Sequence, residues 1–503
     1  MKIIRNLIYS LIFVFAQSLI AQSDGVIHPV NPHSGEQFGR SLAFGGQEWL
    51  FSGAISNDKG EASGSVYVFR NTNNQWLQSQ KMIPLDARAD DYFGLSIAAY
   101  ANKSIVTAYK NDEGGTNAGA AYYYQETGGK WNLRQKLIPV NSNSYQLFGS
   151  AVAMTEQTAL ISAVGDSENG FQSGAVYAYN LLNNEWLECQ KLIAPNGGPN
   201  DEFGNALSIT GNIAVIGAWG SLNKNGKRSG AVYIYMYNGK QWVLQQQLFA
   251  PEGENDDRFG WSLSIKEGVV AIGAPGSDES GKDMGAVYLF TRQNNEWVYS
   301  QKIVPQGGIH GAGLGIKVLI AEGKRIWVSA EKTRTALGTS GSVYSYVPDG
   351  VINDKWTQEI LTMQSQDYTH ARYGSALAVN HDKLAIGAYL ASVNSVDKCG
   401  SVVVYGTEAK SKDLVDSDLI TDFIRVYPNP SSSGIFYVET DEISFKNISV
   451  YNSVGVLVFT IDTNNEHITN KSIHQIELST GGVYFVHITT TDGTNKVYRL
   501  VKI

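Results

Sequence analysis

The sequence predicts an all-β chain: a seven-bladed β-propeller followed by a small C-terminal antiparallel β-sandwich. Three observations predict it. A Phe-Gly pair or a degenerate form of it recurs at Phe38-Gly39, Phe93-Gly94, Phe148-Gly149, Phe203-Gly204, Phe259-Gly260, Leu314-Gly315 and Tyr373-Gly374, at intervals of 55, 55, 55, 56, 55 and 59 residues. A second glycine keeps the same beat (Gly64, Gly119, Gly174, Gly230, Gly285, Gly341, Gly400), each followed by a run such as Ser65-Val66-Tyr67-Val68-Phe69. A tryptophan marks six of the units, at Trp76, Trp131, Trp186, Trp242, Trp297 and Trp356. Self-similarity at a fixed period marks a repeat architecture.

Residues 1–21 read as a secretory leader. Lys2 and Arg5 form a positive start, and 7–15 is almost uninterrupted apolar sequence, too short to span a bilayer. Cleavage is placed after Ala21; because Leu19 is bulky for the −3 position, cleavage after Ala16 competes, and a buried N-terminal strand is the alternative reading. Each unit of the repeat, spanning 24–405 in all, holds four short runs rich in aromatic and β-branched residues, in the first unit 41–44, 49–54, 65–69 and 76–82. Both faces of Val66-Tyr67-Val68-Phe69 are apolar, as a blade between two neighbours requires. A solenoid would need polar capping repeats, and none is visible. The seventh unit stops near Tyr405 without its tryptophan strand, while residues 25–30 fill that slot ahead of the first Phe-Gly pair. The N-terminal strand is therefore expected to complete the last blade and close the ring.

With Phe-Gly, Ile272-Gly273-Ala274-Pro275 and Gly285-Ala286-Val287-Tyr288 in register, the repeat resembles FG-GAP repeats, the blades of the integrin α-chain propeller and its bacterial relatives. That resemblance implies calcium loops between strands one and two. The corresponding turns here, such as Asn102-Lys103 and Glu156-Gln157, are too short to offer alternating oxygens, so no metal or other cofactor is expected. Residues 406–420 read as a charged linker. From 421 to 503, Tyr427-Pro428-Asn429-Pro430, the Tyr451-Asn452-Ser453-Val454-Gly455 core, Gly482-Val483-Tyr484-Phe485-Val486 and the terminal Lys496-Val497-Tyr498-Arg499-Leu500-Val501-Lys502-Ile503 resemble the sorting domain of the type IX secretion system. The resemblance implies Sec export, the type IX machinery as a partner, and release from or display on the outer membrane of a Gram-negative bacterium; an ordinary accessory sandwich is the alternative.

Composition narrows the function. Gly supplies 52 of 503 residues, hydrophobic residues 43% and charged residues only 17%, against about 25% charged and 7% Gly in average domains. Net charge is −8, falling to −10 if Lys2 and Arg5 leave with the leader. With no basic tract, nucleic acid is excluded as a partner, and no segment after the leader is long and apolar enough to cross a membrane. Cys189 and Cys399 lie four blades apart and are expected as free, mostly buried thiols of a monomer. No catalytic motif is present. His310 and His370 precede the degenerate Phe-Gly pairs and read as polar surface residues rather than ligands.

Two features point to binding. Loops entering the first strands carry acids, among them Glu36, Asp91, Asp201 and Asp257, beside variable loops on the same face. The position after the strand-two alanine reads Ile55, Tyr109, Val164, Trp219, Pro275, Glu331 and Tyr389 on an otherwise constant scaffold. Tyr109, Trp219, Tyr389 and Glu331, with Asp91 and Asp257, are the candidate contacts for an extracellular glycan or protein at one mouth of a central channel. A glycan-acting hydrolase using the acidic face and a purely structural surface protein are the competing classes. Deleting residues 24–30 should lower thermal stability far more than a terminal trim does; an unchanged melting curve would refute closure by this strand.

Overall fold

The computed structural model describes residues 23–304, 312–335, 338–339, 341–349, 355–363, 371–406, 423–427, 435–441, 445–452, 456–462, 472–490 and 495–502. The leader, most of the linker, His310 and His370 lie outside the described residues. The chain divides into two compact units, one ending at Ala409 and the other starting at Lys410. The first unit contains seven four-stranded antiparallel sheets. Blade one is Ser41–Gly45, Trp49–Ala54, Ser65–Thr72 and Gln75–Met82, and this order repeats with a short 3-10 turn, Glu322–Lys324, as the one helical element among the described residues.

Alternation along each third strand builds the ring. Val66 and Val68 face one neighbour and pack with Phe93, Ile97 and Val106 of blade two. Tyr67 and Phe69 face the other way and pack with Val402 and Val404 of blade seven. One such core lies between every successive pair of blades, so both faces of each sheet are buried. The first strands touch one another in sequence around the axis, and Tyr373–Asn380 of blade seven reaches Ser41–Gly45 of blade one. Blade seven takes its outer strand from the N-terminus: Ser23–Ile27 pairs antiparallel with Ser401–Gly406, placing Val26 opposite Val403.

Two joints recur between blades. The Phe of each Phe-Gly pair meets the backbone of the glycine that opens the third strand of the preceding blade. A Cβ on Gly119, whose φ is +89°, would stand 2.0 Å from the Phe148 carbonyl oxygen, and one on Gly400 would stand 2.0 Å from that of Phe38. No other residue tolerates both that φ and that contact. Further out, a strand-four glutamine clasps the backbone of the next blade's tryptophan. The Gln135 side chain donates to the Trp186 carbonyl at 2.9 Å and accepts from the Trp186 N–H at 2.8 Å. Gln80, Gln190, Gln246 and Gln301 do the same to Trp131, Trp242, Trp297 and Trp356.

The second unit is a sandwich. Phe423–Tyr427, Ile435–Asp441 and Ser472–Glu477 form one sheet; Leu457–Asp462, Phe445–Asn452, Gly482–Thr490 and Asn495–Lys502 form the other. Phe436, Val438 and Ile476 from the first meet Ile448, Val450, Val486 and Ile488 from the second in one core. The strand Ser472–Glu477 escapes a pattern reading of the sequence because its apolar side chains are only Ile473 and Ile476.

The acids of the strand-four to strand-one loops are structural. Asp91 and Asp257, expected as ligand contacts, are only 2% and 4% exposed. Each carboxylate instead accepts the backbone N–H three residues earlier, Arg88 N–H at 2.8 Å and Glu254 N–H at 2.9 Å. Glu36, Gln146 and Asp201 lock the equivalent turns, and the neutral Gln146 shows that the turn needs an acceptor and not a charge. In four blades a strand-four lysine neutralises the surrounding loop acids: Lys81 with Glu36 and Asp58, Lys136 with Asp86 and Glu113, Lys191 with Asp166 and Glu168, and Lys302 with Glu279. Each ammonium also sits over a tyrosine ring, at 4.8 Å for Lys81 on Tyr67. Both cysteines are free, but only Cys399 is buried; Cys189 sits exposed on an outer strand, contrary to the expectation of two buried thiols.

Gln135→Leu leaves the Trp186 N–H and carbonyl unpaired and should destabilise the propeller by about 1–3 kcal/mol in urea unfolding. Burial lifts the Asp257 carboxyl above its ordinary value, against the Glu254 N–H and Lys302. The native state therefore holds this proton more tightly than the unfolded chain, and stability falls as pH rises through the window above the unfolded value. Asp257→Asn, which keeps an acceptor, should melt higher than the parent at pH 7, with the difference shrinking toward pH 4.

Candidate functional site

The site lies where the first strands begin and the second strands end, at one mouth of the ring. Three repeat positions meet there: the residue after the strand-two alanine and the two residues flanking each Phe-Gly pair. The residue before the Phe takes a left-handed backbone in blade after blade, at Gln37, Tyr92, Leu147, Glu202, Arg258 and Arg372 with φ between 50° and 60°. That conformation turns the chain from the loop into the first strand beside the end of strand two. Because the Phe and Gly are fixed by the inter-blade joint, the flanking positions vary on a rigid frame.

On the side formed by blades four and five, the Trp219 indole N–H donates to Glu202 at 2.9 Å. Its ring meets Trp261 edge-on at 5.7 Å, and the Arg258 guanidinium lies 6.0 Å from Trp219 and 5.7 Å from Trp261. Asn205 fixes the corner, accepting from the Trp219 backbone N–H at 3.2 Å and donating to the Gly260 carbonyl at 3.1 Å. Burial raises the Glu202 carboxyl, with the Trp219 hydrogen bond opposing it.

A second group spans blades six, seven, one and two. Tyr109 packs against Tyr92 at 5.5 Å, with the Lys110 ammonium 4.6 Å from the Tyr92 ring and 5.6 Å from that of Tyr109. Arg40 donates to Gln37 at 2.7 Å and lies 5.0 Å from the Tyr389 ring. Glu331 pairs with Arg372 at 3.4 Å. Lys317, just ahead of the blade-six inner strand, is exposed.

Of the six residues expected in the site, Tyr109, Trp219, Tyr389 and Glu331 stand at this mouth, all half-buried; Asp91 and Asp257 do not, being locked in the loop turns. The sequence reading missed Arg40, Tyr92, Lys110, Arg258, Trp261, Lys317 and Arg372. A signal for most of them was present: aligning the repeats shows that the residues flanking Phe-Gly change type from unit to unit just as the strand-two position does. A separate cleft of about 270 Å³ lies between His33–Glu36 and Ile55–Asp58 beside Lys81, but its charges already pair with one another. Among the described residues no cluster of His, Cys, Asp or Glu suited to a metal occurs, and no helix is long and apolar enough to cross a membrane.

Comparison with known proteins bears on both units. The FG-GAP repeat family matches residues 76–124, 131–179, 186–235 and 242–290. Each match starts at the tryptophan of one blade and runs through the third strand of the next, so the family unit straddles the joint. The Secretion system C-terminal sorting domain family matches residues 425–502. The chain is also 35% identical over 85 residues to the ulvan lyase NLR42 of Nonlabens ulvanivorans, a match covering 17% of this chain and 15% of that protein. Eighty-five residues are too few to hold the seven blades. The chain is an FG-GAP repeat β-propeller protein whose C-terminal sorting domain engages the type IX secretion machinery and directs it to the cell surface or the extracellular space.

Proposed function

We propose that the exported propeller is a binding or adhesion module that recognises an extracellular glycan at the mouth of its channel. The observation that carries this reading is the set of half-buried aromatic faces, Trp219 with Trp261 and Tyr92 with Tyr109, presented from variable positions on an invariant frame. Paired indole and phenol rings offer flat apolar surface with polar edges, which suits the C–H faces of sugar rings. Export to the cell surface places the mouth among extracellular polymers, and the short similarity to an ulvan lyase is in keeping with a glycan setting.

Incubated on a glycan and matrix-protein array, the full chain should give discrete, saturable saccharide signals without turnover. Trp219→Ala with Tyr389→Ala should weaken them about tenfold or more, since each lost stacking face is worth about 1 kcal/mol. Unchanged binding by the double variant would refute the site; product release from the array would move the reading to an enzyme.

A further inference from the structure

Charge at the mouth runs against the charge of the chain. Net charge is −8, and the loop acids are answered by their own lysines. At the mouth the balance is reversed: among the described residues this site brings together the cations Arg40, Lys110, Arg258, Lys317 and Arg372 with the carboxylates Glu202 and Glu331. Among the described residues Arg40, Lys110 and Arg258 have no carboxylate within ion-pair distance, each lying against aromatic rings instead. A ring over a cation leaves its charge uncancelled. Like charges held together in a protein of opposite sign make a focused positive field.

We propose that the mouth binds a polyanionic polysaccharide, its carboxylate or sulfate groups met by Arg40, Lys110 and Arg258 and its sugar rings by the adjoining tryptophan and tyrosine faces. The inference rests on the glycan-binding reading and names the ligand class for that same site. Guanidinium groups suit it because they pair with planar or tetrahedral oxyanions through several donors at once. An acidic peptide would satisfy the charges but leave the aromatic faces without flat partners.

The test titrates the full chain with polygalacturonate (carboxylates), carrageenan (sulfates), uncharged dextran and polyglutamate. Polygalacturonate or carrageenan should bind and dextran much more weakly. Raising the salt from about 0.05 M to 0.5 M should weaken binding about tenfold, because it shortens the Debye length to a few ångströms. Arg258→Gln with Lys110→Gln should lower affinity about fivefold to tenfold and flatten that salt dependence. Glu202→Gln, which keeps an acceptor for Trp219, should tighten anionic ligands about twofold, a gain that misfolding cannot produce. Equal binding of dextran, no salt effect, or polyglutamate bound as well as the polysaccharides would overturn the proposal. If neutral saccharides bind and the Trp219 and Tyr389 variants abolish it, the ligand class fails while the glycan site stands; if those variants change nothing, the site itself fails.

Discussion

The propeller depends on how closely one blade's backbone can approach the next. At every joint among the seven sheets the opening glycine of a third strand lies against the Phe, Leu or Tyr of the following Phe-Gly pair, and a Cβ there would stand 2.0–2.3 Å from its carbonyl oxygen. This contact sets the inner spacing, and the glutamine–tryptophan clasp sets the outer one. Between the two, the buried faces fill with Val, Ile, Tyr and Trp at interior density. A blade's wedge shape is thus defined by two backbone contacts, one needing no side chain and the other needing an amide that both donates and accepts. The excess of glycine and the scarcity of charge in the composition are consequences of that geometry.

Most of the fold was legible for the same reason. A joint that only glycine can form, repeated at a fixed interval, writes itself into the sequence as a beat, and the alternation of Val66-Tyr67-Val68-Phe69 states that both faces are buried. Closure was legible from a missing strand at one end and a surplus one at the other. Less visible was the clasp: Gln135 sits in an outer strand among other polar residues, and its role appears only when Trp186 of the next blade is beside it. Cys189 misled because an outer-strand position, unlike a third-strand one, faces solvent on alternate residues.

The site was half legible. Variation at the strand-two position marked Tyr109, Trp219, Glu331 and Tyr389 as candidates because everything around them is constant, and all four stand half-buried at the mouth. Asp91 and Asp257 were misread because a carboxylate on a loop looks the same in sequence whether it points to solvent or back at its own turn. The distinction is one of hydrogen bonding three residues back, and blade three makes it with Gln146 in place of an acid. A run of polar residues at one repeat position signals a shared structural acceptor; a scatter of types, as at Tyr92, Glu202, Arg258 and Arg372, signals freedom from that duty.

Local pairing of the loop acids also reverses the sign of charge at the mouth. Counted by sequence, the loops on this side are acidic, and an acidic face argues for a basic partner. In the folded ring those carboxylates are consumed locally, by turn N–H groups and by lysines lodged over tyrosine rings, in pairs that are partly shielded from solvent. Paired charges contribute little field at a distance. The uncancelled charges are Arg40 and Arg258 on the flanks of Phe-Gly and Lys110 beyond strand two, where an aromatic ring rather than a carboxylate is the neighbour. A surface in which the majority charge is internally neutralised and the minority charge is not presents the minority sign to a ligand. Net charge therefore does not describe the mouth, where the local field follows from which charges the repeat leaves without a carboxylate partner.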